Sequence, residues 1–325
     1  MASVQTARIS LAALKRPWLA PLAALVVVSA LFALYTPDTF ARADNLVTMT
    51  RQTVVVAIAA VGMTLVIVSG GIDLSVGSAV ALTTVVVASL LRGGWSPLLA
   101  SLGGVAVAAG CGALSGLLVS RLRITPFVVT LGAMSILRGV AKGVAHEQKI
   151  DADARGLDGL LAPLEASHRW QLLPPGVWIA LAIAVLTGLG LARTRFGRHV
   201  FAVGSSEATA RLCGVEVERV KVLVYTLAAA LAGVAGVMEF STLTVGDPTD
   251  SIGLELEVIA AVVIGGGSLS GGEGTILGSL IGAMLMTVIR TGCTHVGLAN
   301  WVQEIVTGGI IVVAVALDRV RHARQ

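Results

Sequence analysis

Gly70-Gly71-Ile72-Asp73-Leu74-Ser75-Val76-Gly77-Ser78 separates two strongly apolar runs, 52–69 and 76–91. Three glycines and a carboxylate in such surroundings read in one of two ways. The stretch is either a polar turn at a membrane surface or a break within a membrane crossing, where freed backbone groups face a cavity or other protein. A second stretch of the same kind, Gly265-Gly266-Gly267-Ser268-Leu269-Ser270-Gly271-Gly272-Glu273-Gly274, lies near the other end of the chain. Each holds a glycine pair, a Leu-Ser dipeptide and one acidic residue, a weak parallel repeat. Glycine-interrupted segments at matching places in two halves point to a transport path. Gly70, Gly71, Asp73, Ser75 and Gly77, with Gly265, Gly266, Gly267, Ser268, Gly271 and Gly272, are therefore candidates for the translocation path or its gate.

Working outward, ten apolar runs appear, approximately 18–35, 52–69, 76–91, 98–120, 126–140, 177–191, 222–241, 254–264, 275–289 and 301–317. Of the 325 residues, 55% are hydrophobic and 13% charged, against about 25% charged in ordinary soluble domains. Mean hydropathy is +0.89. A soluble enzyme cannot hide that much apolar surface, and disorder needs the opposite composition. At roughly 20 residues per span, the expected fold is an all-α polytopic membrane protein of about ten transmembrane helices. The run 254–264 is short and opens with Glu255 and Glu257, which suits a half-span or a helix sheltered by neighbours. Run 18–35 is too long for a signal-peptide core and is read as a retained first helix.

Placing both termini in the cytoplasm puts 14 of the 23 basic residues inside, in keeping with the positive-inside rule. Trp95, Trp170, Trp178 and Trp301 then gather at the outer interface. The net charge of +4 is thus a matter of membrane orientation, and nucleic-acid binding is not expected. The whole chain, 1–325, reads as one permease-like membrane domain with short cytoplasmic tails, 1–17 and 318–325. Two connections are long, an outward loop at 141–175 and a basic inward loop at 192–221. GxxxG spacings at Gly112–Gly116 and Gly278–Gly282 suit close helix packing.

Asp73 has two readings, a ligand in the membrane or a cap for the helix that follows. Leu269-Ser270-Gly271-Gly272-Glu273 looks like the signature of ABC ATPases, but no G-x-x-x-x-G-K-[ST] phosphate loop accompanies it. No ATPase site, catalytic residue or resident cofactor is therefore expected. Cys111, Cys213 and Cys293 and the five scattered histidines show no metal-ligand spacing.

Within 192–221, Ser205-Ser206 precedes Glu207-Ala208-Thr209-Ala210-Arg211-Leu212-Cys213, and Gly214 follows. Serine at the start, Glu in the first turn, Arg near the end and Gly beyond it specify a short helix. So short a helix needs packing to persist, from a partner protein or anionic lipid headgroups.

The motif at 70–78, Thr194-Arg195-Phe196-Gly197-Arg198, the helix at 207–214 and the run 259–266 leading into Ser268-Leu269-Ser270-Gly271-Gly272 together resemble the permease subunit of ribose/xylose-type sugar ABC importers. The likeness runs collinearly over roughly 45–318. It implies a multi-pass protein of the bacterial inner membrane that works as a pair with a second copy or a paralogue. It also implies a periplasmic sugar-binding protein outside and a cytoplasmic ATPase inside, the latter holding ATP and Mg. Glu207, Ala208, Ala210, Arg211, Leu212 and Gly214 would then form the coupling helix that fits an ATPase groove. Two details depart from the wider importer pattern: Thr209 replaces an alanine, and the glycine falls one place later. The alternatives are a related permease for a nucleoside, autoinducer or amino acid, and an ion-coupled secondary transporter. The latter calls for acidic residues deep in several spans, for which Asp73 and Glu304 are the plausible candidates.

Overall fold

The computed structural model describes residues 18–164 and 170–322. The expected tail 1–17, the end of the tail 318–325 beyond His322, and Glu165 and Arg169 of the long loop lie outside the described residues. Among the described residues twelve α-helices appear in order: α1 (Leu19–Tyr35), α2 (Ala43–Val68), α3 (Val76–Arg92), α4 (Pro97–Arg121), α5 (Pro126–Val144), α6 (Pro175–Arg193), α7 (Arg195–Ser205), α8 (Glu207–Leu212), α9 (Val217–Leu243), α10 (Leu254–Ile264), α11 (Ile276–His295) and α12 (Asn300–His322).

Helices α2, α4, α5, α6, α9 and α11 are long and apolar enough to cross a membrane, and shorter apolar helices cover Leu19–Tyr35, Val76–Arg92 and Asn300–Ala316. The α10 helix has 11 residues, a length of about 16 Å, half of a bilayer core. It coincides with the short run 254–264, read from the sequence as a half-span or a helix sheltered by neighbours. One departure from all-α structure is a two-residue antiparallel pairing of β1 (Ile150–Asp151) with β2 (Val245–Gly246).

Burial sorts the helices. From Thr53 to Val68 every residue of α2 is buried, so this helix is the hub. Helices α6, α9, α10 and α11 pack around it. Helices α4, α5 and α6 turn rows of leucine, valine and isoleucine outward, including Leu114, Ile136 and Leu186. In water such surfaces would be untenable, whereas lipid tails solvate them.

Where helices cross most closely, the contacts fall on the GxxxG pairs. A Cβ on Gly112 or Gly116 of α4 would strike the α9 backbone at Tyr225 and Val222. A Cβ on Gly278 or Gly282 of α11 would strike the carbonyl oxygens of Gly265 and Ala261.

Candidate functional site: a glycine junction and two unwound crossings

The basic loop 192–221 forms a compact knob. Thr194 accepts a hydrogen bond from the Gly197 amide at 3.2 Å and starts α7. That helix was not anticipated, although Phe196, Val200 and Val203 carry the apolar spacing of a helix and Val200 and Val203 are buried. Ser206 then accepts from the Thr209 amide at 3.2 Å and starts α8. Gly214 ends it with φ +79°, a conformation that favours glycine. Ala210 is buried beneath α8, while Arg211 pairs with Glu218 at 3.2 Å and Lys221 pairs with Glu207. Leu212 at the tip is 89% exposed, and no described residue covers it.

Behind the knob, three chain segments touch mainly through the main chain of glycines. The Gly272 amide donates to the Val68 carbonyl at 2.9 Å, tying the second glycine stretch to the end of α2. A Cβ on Gly204, in the last turn of α7, would collide with that same carbonyl and with the Gly272 nitrogen. A Cβ on Gly271 would lie 2.6 Å from the Gly204 carbonyl and 2.9 Å from the Gly70 Cα. Gly70, Gly271 and Gly272 also have φ of +81°, +85° and +76°. Ser268, buried, closes the turn by accepting from the Ser270 and Gly271 amides at 3.2 and 3.0 Å. The two glycine stretches singled out in the sequence thus meet each other, and Gly204, which sequence reading missed, sits between them.

Residues 70–75 have no helical or strand backbone, and α3 begins only at Val76. Asp73 is 2% exposed and accepts from the Ser75 amide and hydroxyl at 2.8 and 2.6 Å. It therefore fixes the turn that leads into α3, and Ser75 is the residue at the helix cap. Nearby, a Cβ on Gly71 would lie 2.5 Å from the Tyr225 hydroxyl, a buried group with no hydrogen-bond partner in this conformation.

A second unwound segment, 244–253, runs back along α3 before α10 starts. Gly246 packs on Thr84, Val85 and Ala88, and Gly77 packs on Ser251 and Glu255. Its exposed backbone groups are met by side chains, as burial in a bundle demands. Arg138 of α5 donates to the carbonyls of Pro248 and Asp250 at 3.0 and 2.6 Å. Thr84 accepts from the Asp247 amide at 3.3 Å. Lys149, beside β1, pairs with Asp247 at 3.0 Å. The hydrogen bond from Lys149 holds its own ammonium above the usual lysine range. Burial alone would raise the Asp247 carboxyl, but hydrogen bonds from Thr249 and Lys149 outweigh it and leave it below the usual carboxylate range.

At the end of the bundle away from the knob, α2, α9, α10 and α11 enclose a polar cavity reached by Arg51, Glu239, Glu257 and Arg290. Glu257 pairs with Arg290 at 2.7 Å. Leu161 of the long loop, itself buried, lines the cavity. Its carbonyl accepts from Arg51 and its amide donates to Ser241 at 3.1 Å. None of these four charged residues was singled out as a site member. The signal was their ionisable character inside apolar runs, for Glu239 and Glu257, or at the ends of such runs, for Arg51 and Arg290, which gives no hint that they converge from four helices.

A family profile described as the permease component of branched-chain amino acid transport systems matches residues 45–315. The ribose import permease protein RbsC of Escherichia coli K12 is 39% identical over 303 residues, 91% of this chain and 92% of the relative. The L-arabinose ABC transporter permease protein AraH of Azospirillum brasilense is 34% identical, over 92% and 87% of the two chains. The D-allose transport system permease protein AlsC of Escherichia coli K12 is 31% identical, over 91% and 89%. No solved structure matches the chain. Collinear similarity along nine-tenths of the length, on a multi-pass helical bundle with a capped knob at one end, places this chain in the family of membrane-spanning permease subunits of sugar ABC importers.

Proposed function

We propose that this chain is the inner-membrane subunit of a monosaccharide importer, through which sugar passes by alternating access powered by a separate ATPase. The observation that carries the reading is the direct contact between the knob and the two glycine stretches at Gly70, Gly204 and Gly271. In this account α8 is the coupling helix and faces the cytoplasm. Leu212 inserts into a groove of the ATPase, and Arg211 lies beside it. ATP-driven closure of two such ATPases draws paired knobs together, and α7 passes the displacement to Gly70 and Gly271. Outside, a periplasmic binding protein delivers sugar to the opposite face, and a second permease copy or a paralogue completes the path. The motion couples to transport only if the two conformations bind sugar and nucleotide differently.

ATP and Mg belong to the partner in this scheme, and the present chain needs no cofactor of its own. Ribose, arabinose and allose permeases among the relatives favour a pentose or hexose over a nucleoside or an amino acid, and favour a permease over an ion-coupled carrier.

The test uses the assembled transporter in proteoliposomes loaded with ATP, with binding protein and radiolabelled D-ribose outside. Arg211→Glu is expected to leave membrane insertion intact while lowering ATP-driven uptake by roughly ten- to a hundredfold, the scale of a disrupted charged contact at an interface. Unchanged uptake in that variant would count against α8 as the coupling element.

A further inference from the structure

The cavity between α2, α9, α10 and α11 is built unlike the rest of the bundle. It measures about 290 Å³ and is lined by Arg51, Gln52, Glu239, Glu257, Thr287 and Arg290, near the lower end of the size range of small-molecule pockets. Glu257 is only 4% exposed. Glu239 makes no hydrogen bond to another described residue. The Glu257 carboxylate is buried while its partner Arg290 is 64% exposed, and pairing a buried charge is often no better for stability than apolar residues of similar volume. Nor do α10 and α11 need the Glu257–Arg290 pair to stay together, since they already interlock through Gly265, Gly278 and Gly282.

Resting on the importer reading above, we infer that this cavity holds the sugar in transit, its hydroxyls bridging the Glu239 and Glu257 carboxylates to the Arg51 and Arg290 guanidinia. Two carboxylates and two guanidinia balance, which suits a neutral solute. A sugar hydroxyl both donates and accepts, so it needs acceptors and donors within one small volume, and the lining supplies both. No aromatic ring lines the cavity, so the face-on stacking that gives tight sugar binding is missing. Weak holding is what a conduit needs, because a tightly held solute is slow to leave. Leu161, also a lining residue, is tethered to Arg51 through its carbonyl, so the long loop and the site share one side chain.

The experiment compares wild type with Glu239→Gln and Glu257→Gln in the complete ATP-loaded proteoliposome system, with binding protein saturating. It measures uptake of D-ribose and 2-deoxy-D-ribose, and ATP hydrolysis in parallel. The expected result is ribose uptake lowered roughly tenfold or more in at least one variant, on the scale of a lost charge-assisted hydrogen bond. The ratio of ribose to deoxyribose uptake should shift as well, while binding-protein-stimulated ATP hydrolysis persists. That ratio does not depend on how much variant folds. An unchanged ratio and rate in both variants, with wild type transporting normally, would overturn the site alone. A wild-type complex that imports L-leucine and no monosaccharide would overturn the importer reading, and this site with it.

Discussion

The two ends of the bundle solve opposite problems with opposite materials. At the knob, Val68, Gly70, Gly204, Gly271 and Gly272 meet through main-chain atoms, and neither Gly204 nor Gly271 leaves room for a methyl group. At the other end, Arg51, Arg138, Glu239, Glu257 and Arg290 reach across space with long charged side chains. Glycine gives close approach and fixed geometry, whereas long side chains give chemistry and tolerance of movement. In the proposed scheme the first end would receive a displacement and the second would handle the solute.

The contrast can be broken most severely at Gly204. Gly204→Ala forces a methyl group into the Val68 carbonyl, a backbone clash that no rotamer relieves, and should cost about 2–3 kcal/mol. A fall of several degrees in the thermal unfolding midpoint in detergent, with loss of uptake, is the expected result. An unaltered midpoint would show the junction to be looser than described. Second in size is Arg138→Met, which strands the carbonyls of Pro248 and Asp250. Leaving buried acceptors unsatisfied costs about 1–3 kcal/mol. Faster hydrogen exchange should be confined to 244–253, and the knob should be untouched. Exchange spreading to α7 and α8 would mean that the two ends are not separable.

A milder test uses pH. Asp247 is depressed by its hydrogen bonds, so its contribution is present above the ordinary carboxylate value of about 3.9 and is lost as pH falls through the lower folded value. Lys149 is raised, so its contribution is present below about 10.4 and is lost as pH rises through the higher folded value. Protection of the β1–β2 amides, corrected for intrinsic exchange, should therefore be flat between about pH 5 and 9. A step near pH 7 would contradict this pairing. The smallest effect is expected at Tyr225→Phe. Its hydroxyl is buried without a partner in this conformation, so removal should be neutral or slightly stabilising here. A loss above about 1 kcal/mol would reveal a hydrogen bond made by that hydroxyl.

These two ends also differ in how well the sequence announces them. Glycine clusters inside apolar runs stand out against their surroundings, and so did 70–78 and 265–274. The α8 cap needed only Ser206, Glu207 and Gly214, all local. Helix ends were less legible: α2 begins at Ala43 and not near 52, because its first turns hold Asp44, Asn45, Thr48 and Arg51, which an apolar run does not register. The unwound stretch 244–253 has too few glycines to resemble 70–78, yet it lies against α3 and is held by Arg138 from α5. Convergence of Arg51, Glu239, Glu257 and Arg290 is a property of four helices at once. No spacing along one chain encodes it.

A joint made only of peptide groups has no torsions to spare. Side chains that meet across an interface can hop between rotamers and absorb a push, as a loose hinge absorbs the first few degrees of a turning handle. Where Gly204 bears on Val68 and Gly271 there is no such play, so in the proposed scheme a shift of α8 would reach both glycine stretches together.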